Sequence, residues 1–147
     1  MKSLWEHDAR LEILRRIESV KAETAPLWGK MTCARMIRHL ARAMSMASGE
    51  LPVKPKNLPL RYFPLKQLAI YVLPFAKGLP TAPELLEGDC ESLDAARADL
   101  RREVESFAAR KDVTSWPDHP AFGKLTPRAW GVLTRRHIDH HLRQFGA

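Results

Sequence analysis

Seven prolines fall between positions 52 and 83, at Pro52, Pro55, Pro59, Pro64, Pro74, Pro80 and Pro83. Each lacks a backbone N–H and holds φ near −65°, so no long helix and no central strand runs through this part of the chain. Regular structure has to form on either side of it. Residues 50–83 therefore read as a crossover that wraps the body, with one short helix at about 64–74. The segment is not low-complexity. Tyr62, Phe63, Ile70, Tyr71, Val72 and Phe75 are expected to be buried, as a packed lid over a cavity.

The flanks carry helical spacing and the signals that start and stop helices. Residues 3–24 predict a helix, with Ser3 and Glu6 at the spacing of a capping box. Its apolar stripe takes in Leu4, Leu11, Ile13, Leu14, Ile17 and Val20, and Pro26 prevents it from continuing. Residues 32–48 predict a second, capped by Thr32 and stopped by Gly49. There Met36, His39, Leu40, Ala43, Met46 and Ala47 share one face. A third helix is expected over 92–110, from the spacing of Leu93, Ala96, Leu100, Val104 and Phe107. A loop follows over 111–125, and Thr126-Pro127 then opens a last helix that runs to about Gln144. No useful β-alternation occurs. Four long helices with one long crossover predict an all-α fold, a four-helix bundle, over a single domain of residues 1–147.

Composition narrows the setting. No stretch is apolar for the roughly 20 residues that a bilayer span takes, and the longest candidate, 68–75, is broken by Pro74. No secretory leader is read at the start. The two cysteines, Cys33 and Cys90, form no C-x-x-C pair, and a reducing cytoplasm is the expected location. The formal net charge of +7 permits a nucleic-acid partner. Acids such as Asp94, Asp99, Glu103 and Glu105 interrupt the arginines, however, so a solvated mixed surface is expected rather than specific nucleic-acid binding.

Six histidines occur, at positions 7, 39, 119, 137, 140 and 141. In His137-Ile138-Asp139-His140-His141, the first and last stand i, i+4 on one helical face and can bind a common ion. Leu133 and Trp130 precede them on that face, so the pair should look into the bundle. A catalytic metal site commonly has three protein ligands and one open position. His39, on the apolar side of the second helix, is the third candidate. His140 sits about 100° around from His141 and reads as a rim residue. His119, held extended by Pro120, reads as a structural hydrogen-bonding residue. The alternative for the whole set is ordinary core and surface histidine.

The residues also resemble a known family. Trp28-Gly29-Lys30-Met31-Thr32, Met36 and His39-Leu40 carry the first part of the likeness. His119-Pro120-Ala121-Phe122-Gly123-Lys124-Leu125-Thr126, Trp130-Gly131-Val132-Leu133 and 137–146 carry the rest. The chain resembles a domain-of-unknown-function branch of the DinB/YfiT-like metalloenzyme superfamily. That resemblance implies an up-down-down-up four-helix bundle whose metal is held by one histidine of the second helix and an H-x-x-x-H pair of the last, here His39, His137 and His141.

The expected function is that of a divalent-metal-dependent enzyme, zinc or nickel being the leading ions. The resemblance implies a small-molecule substrate and a thiol-dependent S-transferase, with a low-molecular-weight thiol as partner; a hydrolase is the other reaction considered. Arg38 or Arg143 is a candidate for holding a carboxylate of such a thiol. The rival expectation is a non-enzymatic metal-binding or stress-associated module. A membrane partner is not expected, and a homodimer is left open. The fourth coordination position is expected to open on a pocket that includes Tyr62 or Tyr71.

Overall fold

The computed structural model describes residues 1–88 and 92–147. Cys90 lies outside the described residues. The described chain is all-helical, with five α-helices and no strand. They are α1 (His7–Ser19), α2 (Cys33–Ser48), α3 (Leu65–Tyr71), α4 (Leu93–Ala109) and α5 (Pro127–Gln144). Two short 3-10 turns, Pro59–Arg61 and Pro83–Leu85, punctuate the crossover around α3.

Three helix starts follow the side-chain capping rule. Thr32, Ser92 and Thr126 are extended, and each hydroxyl accepts the backbone N–H three residues on. Gly49 ends α2 at φ 86°, where its N–H returns to the carbonyls of Met46 and Ser45. The first helix differs from its sequence expectation at both ends. Ser3 N–H donates to Glu6 Oε1 at 2.9 Å, and Trp5 N–H donates to Ser3 Oγ at 3.3 Å. These bonds close a separate turn, and the helix begins only at His7. It stops at Ser19 because Val20 adopts an extended conformation, well before Pro26.

The core is drawn from α1, α2, α4 and α5. Ile13, Ile17, Met36, Ile37, Leu40, Met44, Leu100, Val104, Phe107, Trp130, Ile138 and Leu142 are buried in one cluster. Leu11, expected in the α1 stripe, lies outside it and is exposed. Trp5 stacks on Phe107 at a centroid distance of 4.4 Å, and its indole N–H reaches Pro127 O at 2.8 Å. Trp116 edges onto the same rings but is only half-buried, less than its aromatic surface predicts. Phe122 and Trp130 are buried as expected.

The crossover departs from the expected packed lid. Ile70 is buried with Phe122, Ala129, Val132 and Leu133 in a second cluster, and Tyr71 and Phe75 pack against it. Tyr62, Phe63 and Val72 are exposed. Helix α3 has only two turns, so it presents one narrow face to α5, and Tyr62, Phe63 and Val72 lie beyond its ends.

Arg15, Arg35, Arg101, Arg102 and Arg143 are exposed, as a solvated surface requires, but other arginines turn inward to backbone carbonyls. Arg97 of α4 donates to the carbonyls of Ile17, Glu18 and Val20 at the end of α1. Arg110 donates to Ser48 O at the end of α2, and Arg136 of α5 donates to Ala69, Ile70 and Leu73 O at the end of α3. The last carbonyls of a helix have no partner within it and carry the negative end of its dipole. A guanidinium from a neighbouring element satisfies both. Arg42 and Arg38 hold the crossover to α2 in the same way, through Glu84 O at 2.7 Å and Glu87 O at 3.4 Å.

Candidate metal centre

His39 lies midway along α2 and is buried among Met36, Leu40 and Ala43. Its Nε2 stands 3.2 Å from Nε2 of His137 on α5. His141 is one turn further along α5, its ring 4.9 Å from both His137 and His39. One ligand nitrogen from each of the three lies within 4.8 Å of the others. The structure therefore brings together the three histidines singled out by spacing. His140 is outside the group. Its ring is turned to Trp28 at 5.6 Å and Phe75 at 5.7 Å, on the rim.

The donors suit a divalent ion. A tetrahedral site with metal–nitrogen bonds of about 2.0–2.1 Å needs nitrogens about 3.3 Å apart. The His39–His137 pair already has that separation, and the third nitrogen lies within 4.8 Å of both. Metal ligation also requires neutral imidazoles. Burial pushes the pKa of His39 down to about 4, against which the Leu85 backbone acts weakly. Burial, and then the neighbouring His39, push His141 down to about 4. His137 is driven well below the usual histidine range by burial and then by His141 and His39. No carboxylate belongs to the group among the described residues. His39 Nδ1 is buried and makes no hydrogen bond of normal geometry. A buried ring nitrogen without a partner is costly.

His39 also lines a cleft of about 330 Å³ with Lys30, Met31, Arg35, Arg38, Leu85, Leu86 and Gly88. The part of the crossover that faces it is 85–88, not Tyr62 or Tyr71. Tyr62 is exposed, and Tyr71 packs with Ile70 in the second cluster. Of the two arginines considered for an anion, Arg38 is on the cleft. Arg143 is largely exposed and pairs with Asp139 at 3.0 Å, away from it.

His119 is no member of the cluster. Its Nδ1 accepts the N–H groups of Ala121 and Phe122 at 3.0 and 3.3 Å, and its backbone pairs with Gly123 in an isolated bridge. The ring rests on Phe122 and Trp130, and burial and then Arg61 push its pKa down to about 4.

One residue at the centre had no role assigned from sequence. Gln144 is buried, and its Oε1 is 2.8 Å from His141 Nδ1. The spacing of three residues on α5 puts both on one face, which is the only sequence signal for the contact. No helix among the described residues is long and apolar enough to cross a membrane.

No curated protein and no solved structure matches the chain. Residues 2–147 match the family described as "Protein of unknown function (DUF1569)", which covers almost the whole chain. The protein with this histidine cluster between α2 and α5 thus belongs to the DUF1569 family.

Proposed function

We propose that this protein is a divalent-metal-dependent enzyme whose ion, zinc or nickel, is held by His39, His137 and His141. The observation that carries the reading is the meeting of three imidazoles, kept neutral by burial, with two Nε2 atoms opposed at 3.2 Å. A neutral ligand shell would leave the ion its full charge, and an ion held there would supply Lewis acidity toward a water or a thiol. The chain's own contribution is threefold. It fixes the imidazoles on two rigid helices, it keeps protons off them, and it places cations beside them. Lys30, Arg35 and Arg38 line the cleft at His39, which suits a small substrate or thiol bearing a carboxylate or another anion.

The reading extends to the DinB/YfiT-like resemblance. Under it, α1, α2, α4 and α5 form an up-down-down-up four-helix bundle with the crossover between the second and third. S-transfer from a low-molecular-weight thiol, or hydrolysis, is the class of reaction. The same geometry without turnover would be a metal-binding module. Metal analysis of protein purified without chelator or a nickel column, followed by thiol-transfer and hydrolysis assays of the loaded protein, separates these. About one equivalent of metal per chain is expected. A metal-free protein that takes up neither zinc nor nickel at micromolar concentration would overturn the reading.

A further inference from the structure

We infer that Gln144 is a positioning residue of this centre, holding His141 as the Nδ1–H tautomer so that Nε2 is the nitrogen offered to His39 and His137. The inference rests on the metal-site reading above. An amide side chain has two faces, a carbonyl that accepts and an NH2 that donates, and either could meet an imidazole. Here the choice is fixed from the far side. Gln144 Nε2 donates to Trp28 O at 2.7 Å, so Oε1 is the atom left for His141, and it lies 2.8 Å from Nδ1. A carbonyl oxygen can only accept, so Nδ1 must carry the proton.

The surroundings hold the amide in that orientation. Leu27 N–H donates to the Gln144 backbone carbonyl at 2.7 Å, which ties the same loop to the same residue a second time. Gly29 sits at φ +80°, and a Cβ there would come within 2.7 Å of Gln144 Nε2. Glycine therefore permits the loop to close over the amide. Gln144 is itself buried, so water does not compete for the bond. Metal-bound histidines generally donate their other N–H to an oxygen, which sets tautomer and ring orientation, and removing that oxygen typically costs about 10–100-fold in affinity.

Two variants separate this role from a purely structural one. Gln144→Met removes both the acceptor and the donor. Gln144→Glu keeps an oxygen for His141 but loses the donor to Trp28. Tautomers are read in the metal-free protein by long-range ¹⁵N–¹H correlation of the histidine rings, and zinc affinity by chelator competition. The expected result is an Nδ1–H tautomer at His141 in wild type and in Gln144→Glu. In Gln144→Met the preference is lost and zinc binding is weakened about 10–100-fold. An unchanged tautomer and affinity in a folded Gln144→Met protein would overturn the inference. An equal loss of affinity in both variants would also overturn it, because the loop tie rather than the tautomer would then control the site. If wild type shows the tautomer contrast but binds no metal, the metal reading fails while the hold of Gln144 on His141 stands.

Discussion

His39 and His137 stand 98 positions apart in the chain and face each other Nε2 to Nε2 at 3.2 Å. If that contact is half of a metal site, the three ring-bearing positions are not equivalent to the fourth histidine beside them. Alanine at His39, His137 or His141 should remove most bound metal, a larger loss than the roughly 10–100-fold typical of an outer partner. His140→Ala should retain it. Elemental analysis of the four variants checks this, and equal losses from His140→Ala and His141→Ala would show that the wrong member of the doublet has been chosen.

The low basicity of the cluster has a direct calorimetric consequence. With His39 and His141 at about 4, about 0.1% of each of these two rings is protonated at pH 7, and burial holds His137 well below the usual histidine range. Metal uptake should therefore release almost no protons from the imidazoles, and their protonation should weaken affinity only toward pH 4. Titration calorimetry in buffers of different ionisation enthalpy reads the proton count. Release of a full proton at about pH 5.5, below the range in which a metal-bound water ionises, would contradict the arrangement.

His119 predicts a separate pH effect, on stability. Its pKa is lowered to about 4 in the folded chain, against the ordinary 6.5 of an unfolded one. The unfolded state binds the proton more readily, so the contribution of His119 is fully present above pH 6.5 and is lost as pH falls toward 4. In that window one such group changes stability by up to about 1.4 kcal/mol per pH unit. His119→Asn keeps an acceptor for the Ala121 and Phe122 N–H groups but cannot titrate. Denaturant titrations at pH 7 and pH 5 should show a smaller loss in the variant than in wild type. Parallel losses would mean that His119 does not bind the proton on unfolding.

Arg97 should matter far more than its charge suggests. It closes the C-terminal end of α1 through three carbonyls, and its side chain is only 15% exposed. Hydrogen bonds from a charged donor contribute about 1.5–3 kcal/mol. Arg97→Met, which keeps the aliphatic stem, should lower unfolding stability by about 2 kcal/mol. Arg102→Met is the control. Arg102 is 67% exposed and, among the described residues, pairs only with Asp99 and Glu103, so its loss should stay within about 0.5 kcal/mol. Similar midpoints for the two variants would contradict the capping role.

The helices that sequence reading placed best are those whose ends are set by local chemistry. Thr32 with Gly49, and Thr126 with Pro127, mark α2 and α5 because cap hydroxyl, left-handed glycine and N1 proline act within four residues of the boundary. The start of α1 was misplaced because the Ser3–Glu6 bonds are the same in a capping box and in a free turn. What decides between them is distant: Leu4 N–H docks on Gly131 O at 3.0 Å. The convergence of His39 with the α5 pair was legible, since each lies on an apolar stripe and the two stripes must meet. Gln144 and the carbonyl-binding arginines were not. The arginines' partners are backbone groups, which leave no trace in residue identity, and Gln144 showed only its three-residue spacing from His141.

The docking of the N-terminal turn on α5 also bears on how the chain is made. Gly131 accepts Leu4, and a Cβ at that glycine would collide with Ser3 and Trp5, so the surface that receives residues 3–5 exists only on the last helix. During synthesis, the first turn and α2 leave the ribosome long before that surface does. The histidine cluster has the same dependence, with one ring on α2 and two on α5. Neither the docked turn nor a complete set of three imidazoles can form on a nascent chain until α5 has emerged, so closure of the fold and completion of the centre wait on the same helix.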